Sequence, residues 1–169
     1  MEERAKDFAA RYHGSIDQRR KYTNEPYIMH PASVVKLVRS VNHTEAMIAA
    51  AWLHDTVEDT PATLDDVERV FGGTVSALVE MLTDVSKPTD GNREKRKAID
   101  RAHTAKASPE AKTIKLADLI DNTRSIVARD PEFAKVYLAE KVLLLEVLRE
   151  GNAELWNIAH ALTQAPNKY

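Results

Sequence analysis

A chain of 169 residues suits one domain and can bury most of its unfolded surface without disulfides or a structural metal, so a metal bound here would serve function. Lys and Arg number 24 against 26 Asp and Glu, a formal charge of -2, which lacks the basic excess of a binder of polymeric nucleic acid. There is no Cys, hence no disulfide or thiolate chemistry. The start MEERAKDFAAR has no apolar leader and no later stretch approaches a membrane span, so a cytoplasmic protein with no membrane partner is expected.

Apolar residues recur at helical spacing, and no period-two run of β-branched residues marks a strand. The expectation is an all-α fold in a single domain over residues 1–169. The first helix covers Glu2 to Tyr12. RRKYTNEPYIMHP follows, with Arg19, Arg20 and Lys21 ahead of His30, and Asn24 at a turn position where left-handed backbone is tolerated. Pro31 opens the second helix, Ala32 to Val41, and holds His30 at its start. Thr44 caps a third helix from Glu45 to about Asp59. Thr63 caps the fourth, Leu64 to Phe71, with Asp66 completing a carboxylate version of the capping box and Gly72 and Gly73 ending it. A helix from Val75 to Val85 leads to SKPTDGN, a surface loop inside the domain. Four more helices follow: Arg93 to His103, Glu110 to Arg129, Glu132 to Arg149 and Ala153 to Gln164.

Chemistry concentrates in the third helix, at WLHDTVEDT. Ile48, Trp52 and Leu53 supply an apolar surface, while His54 and Glu58, like Asp55 and Asp59, stand i,i+4 apart. Carboxylates crowded beside a hydrophobic helix call for a compensating cation; the other reading is a solvated helix end. In IKLADLIDNTR, Asp118 sits among apolar residues with Asn122 one turn on. His30, His54, Asp55 and Asp118 form a mixed imidazole and carboxylate set suited to Mn²⁺ or a related divalent ion. Taken singly, His30 reads as a turn residue and Asp118 as a partner for a nearby Arg such as Arg124. Tyr137 and Lys141, four apart on one helix, offer a ring and a charge to a nucleotide or belong to the core and its solvated edge. Trp52 reads as core. The REKRK run, residues 93–97, reads as an exposed helix face, and His43, His103 and His160 as structural or exposed.

RRKYTNEPYIMHP, AAAWLHDTVEDT, TLDDVERVFGGTVSALVEMLTD and KLADLIDNTR together resemble the HD-domain phosphohydrolases, and among them the hydrolase domain of the RelA/SpoT alarmone enzymes, in particular the stand-alone small alarmone hydrolases. The resemblance runs from about Phe8 to Leu155. It implies a helical HD domain in which His30, His54, Asp55 and Asp118 hold one Mn²⁺, Glu58 and Asp59 orient or activate the attacking water, and Arg20, Lys21 and Asn122 face the nucleotide. The implied reaction removes the 3′-pyrophosphate of ppGpp or pppGpp; because no motif identifies a guanine reader, (p)ppApp is expected as a further substrate. A chain this short leaves no room for a synthetase domain.

Three departures from the family pattern stand out. About two extra residues separate His13 from Gln18, so His13 is given no role; Asn24 replaces a common Gly; and Asp121 precedes Asn122, with a poor match beyond Arg129. Base recognition is therefore not legible. Two other functions compete: another HD phosphohydrolase, acting on adenine alarmones or NADPH, and a non-catalytic helical module, for which the Glu58–Asp59 pair would have no use.

Overall fold

The computed structural model describes residues 1–164, all of whose regular elements are helical; an isolated antiparallel bridge between Arg19 and Pro26 is the exception. No helix among them is long and apolar enough to cross a membrane. The chain divides into two compact units that meet in sequence at Thr83 and Asp84, just ahead of the SKPTDGN stretch.

The first unit holds α1 (Glu2–Ser15), α2 (Met29–Arg39), α3 (Glu45–Leu53), the single turn α4 (Thr56–Asp59), α5 (Leu64–Phe71) and α6 (Gly73–Leu82). Helix α3 is its centre. Every residue from Met47 to Leu53 is buried, Trp52 included, the pattern of a helix apolar on all sides, and α1, α2 and α6 pack around it. Thr44 accepts from the Met47 amide at 3.2 Å, and Thr63 with Asp66 forms the anticipated capping box. Gly72 stops α5 with φ +89°, a backbone angle open to glycine at little cost.

The second unit, from Asp84 onward, holds a 3₁₀ turn (Pro88–Asp90), α7 (Arg93–Ala105), α8 (Pro109–Arg129), α9 (Pro131–Val147) and α10 (Ala153–Gln164). Helix α8 is packed by α9 and α10, and buries Ile114, Leu116, Leu119 and Ile120. Lys112 is also buried; its ammonium donates to the Ala105 carbonyl at 3.1 Å and pairs with Glu150 at 2.7 Å. At Gly151 a Cβ would lie 2.8 Å from Leu116 Cδ1 and 3.1 Å from α8 backbone, so only glycine lets this turn approach the helix so closely.

Several helix ends differ from the sequence pattern, two of them for local reasons that the structure shows. Helix α6 stops at Leu82 and not at Val85, because the amides of Val85 and Ser86 donate to Asp100 Oδ1 at 3.0 and 2.8 Å. The helix expected from Glu45 to Asp59 breaks at His54 and Asp55, and this break builds the site.

Candidate metal centre

Helix α3 ends at Leu53. His54 still has helical dihedrals, but Asp55, at φ -102° and ψ -1°, falls in the sparsely populated bridge region, and α4 starts a new turn at Thr56. One of the last carbonyls of α3 is taken by a side chain: His54 Nδ1 donates to Ala51 O at 2.8 Å. That bond puts the imidazole proton on Nδ1 and leaves Nε2 as a lone-pair donor.

This Nε2 faces His30, whose own Nε2 is 3.2 Å away. Asp55 Oδ2 lies 3.0 Å from the His54 nitrogen and 3.6 Å from that of His30. These ligand atoms lie within 4.8 Å of one another, and the two imidazoles are 1% and 2% exposed. Two ring nitrogens and a carboxylate oxygen converging on one point repel one another unless a proton or a cation stands between them. The set of two imidazoles and a carboxylate fits a divalent ion that takes N and O ligands.

Helix α2 starts at Met29, three residues ahead of the expected Ala32, and so takes His30 and Pro31 into its first turn. The loop before it, closed by Arg20 N donating to Glu25 O at 2.9 Å and Tyr27 N to Gln18 O at 3.0 Å, carries Arg20 and Lys21. Asn24 there has φ +57°, the left-handed conformation anticipated for it. Tyr27, three residues before His30, was not singled out by sequence. Its hydroxyl donates to Asp55 Oδ2 at 2.6 Å and orients the carboxylate from behind.

Glu58 and Asp59 lie on α4, both exposed. Gln18 Nε2 donates to Asp59 Oδ2 at 3.0 Å. Partial burial of its functional group, and then the charge of Asp55, hold the Asp59 carboxyl above its usual range, against the Gln18 hydrogen bond and the attraction of His13 and His54.

In the second unit, Asp118 is 6% exposed on α8. Lys115 Nζ pairs with its Oδ2 at 3.2 Å, and Asn122 Nδ2 donates to its Oδ1 at 2.8 Å, confirming the one-turn spacing. Lys97, Arg101, Lys115 and Lys141 line a cavity of about 50 Å³ with Asp84, Asp100 and Glu140. Lys97, the last residue of the REKRK run, thus faces a charged cleft. Burial, followed by the like charges of Lys115 and Lys97, pulls the Lys141 ammonium down to about 8. It stands 4.7 Å from the centroid of Tyr137, whose ring is buried with Ala134 and Leu138 and whose phenol is pushed up by that burial.

Residues 5–154 match the family model described as HD domain. The chain belongs to that family. Within it, human MESH1, named as a guanosine-3′,5′-bis(diphosphate) 3′-pyrophosphohydrolase, is 44% identical over 131 residues, which is 76% of this chain and 70% of that protein. Its Drosophila melanogaster counterpart is 39% identical, over 82% of this chain and 80% of that protein. A probable enzyme of the same name from Synechocystis sp. is 39% identical over 118 residues, but the match spans 16% of its length. The solved structure of a metazoan SpoT ortholog, described as hydrolysing ppGpp and acting in starvation responses, superposes with a TM-score of 0.85 at 32% identity, covering 96% of this chain and 93% of that one.

Proposed function

We propose that this HD protein is a cytoplasmic, metal-dependent hydrolase that removes the 3′-pyrophosphate from ppGpp and pppGpp, giving pyrophosphate with GDP or GTP, and that it also accepts ppApp. The observation that carries this reading is the convergence of His30 Nε2, His54 Nε2 and Asp55 Oδ2, in a chain whose relatives bear the name of that activity.

In this reading Asp118 is the fourth ligand and the ion is Mn²⁺. Support comes from the burial of Asp118 and from the KLADLIDN stretch that carries the family resemblance. The family match runs through both units, which work as one HD domain. A bound divalent ion supplies Lewis-acid polarisation of a phosphoryl oxygen and acidifies water. The protein residues do the rest. Tyr27 and Asn122 orient Asp55 and Asp118 through their hydrogen bonds. Glu58 and Asp59 orient the attacking water, and one of them accepts its proton as the water bonds to phosphorus; the bond from phosphorus to the 3′ oxygen breaks, and that oxygen takes up a proton, from the same carboxyl or from solvent, to become the 3′ hydroxyl. Arg20 and Lys21 take the phosphates, one as a planar fork and the other as a point charge. Lys141, held over the Tyr137 ring, adds charge from the second unit.

The test is to incubate metal-loaded protein with ppGpp, pppGpp, ppApp, NADPH and GTP and to identify products by chromatography. Pyrophosphate release from the first three, with GTP intact, is the expected outcome. Release of phosphate from NADPH with ppGpp untouched would replace this reading by that of a different HD phosphohydrolase.

A further inference from the structure

We propose that Gln18 is a positioning residue for Asp59, and that His13 fixes the orientation in which it acts. This rests on the water-activating role given to Asp59 above. A carboxylate only accepts hydrogen bonds, so the amide group of Gln18 that lies 3.0 Å from Asp59 Oδ2 must be its NH₂. The carboxamide oxygen then faces His13 Nδ1 at 2.7 Å and requires a donor there. His13 is buried, and burial holds it toward the neutral form, so its single ring proton sits on Nδ1. The chain of donation runs one way, from His13 through Gln18 to Asp59. It holds one oxygen of Asp59 and leaves the other for water.

The backbone supports the same assignment. Helix α1 ends at Ser15, and Asp17 takes φ +47°, a left-handed conformation uncommon outside glycine, asparagine and aspartate. The turn brings Gln18 N to the His13 carbonyl at 3.0 Å, while Gln18 O accepts from Tyr27 N at 3.0 Å. Gln18 is thus clamped on both backbone sides. Across this turn the side chains of His13 and Gln18 meet.

Gln18→Ala should lower kcat on ppGpp about ten- to hundredfold, the value of one hydrogen bond to a charged acceptor. KM should stay within about twofold and metal content should be unchanged. His13→Asn, which keeps an amide donor near the position of Nδ1, should retain most of kcat, and His13→Phe should reproduce Gln18→Ala. In an Asp59→Asn background Gln18→Ala should cost nothing further, since it acts through the missing carboxylate. A Gln18→Ala enzyme with full kcat, one that fails through KM or metal loss, or additive losses with Asp59→Asn would overturn the proposal. Should Asp59→Asn itself keep full turnover, it is the role of Asp59 that fails, an outcome read separately from the Gln18 result.

Discussion

Replacing Lys141 by Met tests whether a costly half-buried charge is kept for function. The ammonium is drawn from 10.5 to about 8 by burial and by Lys115 and Lys97, despite Asp118 and Glu140. A tenfold change in proton affinity is worth about 1.4 kcal/mol, so holding Lys141 charged in the fold costs about 3 kcal/mol, to order of magnitude. The contrast with Lys112 is informative: that buried ammonium is matched by a carbonyl and by Glu150. Below about pH 8 both folded and unfolded chains carry the proton, and the fold bears the whole cost. Between about 8 and 10.5 the folded form sheds the proton while the unfolded chain still binds it, so parent stability rises with pH. Methionine keeps the unbranched shape without the charge. Lys141→Met should therefore be more stable than the parent by about 1 to 3 kcal/mol at pH 7, with the gap narrowing above pH 8 and closing toward 10.5. Urea unfolding can be followed in a Trp52→Phe background, where Trp156 alone reports on the second unit. Activity on ppGpp should fall through KM. A variant no more stable at pH 7, or a gap that does not change with pH, would refute the reasoning.

Three further outcomes are expected. His54→Ala should lose metal and activity together, read by elemental analysis beside the assay; full activity of the parent after thorough chelation would sink the metal centre. Glu58→Gln and Asp59→Asn should keep metal and ppGpp binding while turnover falls by about 10² to 10⁴, and metal loss equal to that of His54→Ala would refute this division of roles. Arg20→Ala should weaken ppGpp and ppApp alike, because a charge-assisted phosphate contact is indifferent to the base; loss of the guanine substrate alone would place discrimination at Arg20.

Much of this architecture is legible in the sequence because local chemistry and tertiary need agree. The Thr44 and Thr63 caps, the apolar run of α3 and the i,i+4 pair of Asp118 and Asn122 are short-range patterns, and they form as written. The break at His54 and Asp55 is not legible, since EAMIAAAWLHDTVED has good helical periodicity throughout and no Gly or Pro to stop it. An unbroken helix would hold His54 and Glu58 on one face, whereas the departure at Asp55 starts α4 as a separate turn, while His54, still helical, keeps its Nε2 on His30. Equally hidden are the partners of the candidate carboxylates. Tyr27, Gln18 and Lys115 look like a loop aromatic, a loop amide and a helix charge until the fold sets them against Asp55, Asp59 and Asp118. The donors that converge are recognisable by type, as imidazole and carboxylate are the usual ligands of a divalent ion. Their supporting partners are defined by geometry alone, and any side chain with a donor at the right place would serve. Hence a sequence reading reaches the candidate ligands before it reaches the groups that hydrogen-bond to them. Gln18 sits at that limit, five residues from His13 beyond the end of α1, yet bonded to both His13 and Asp59.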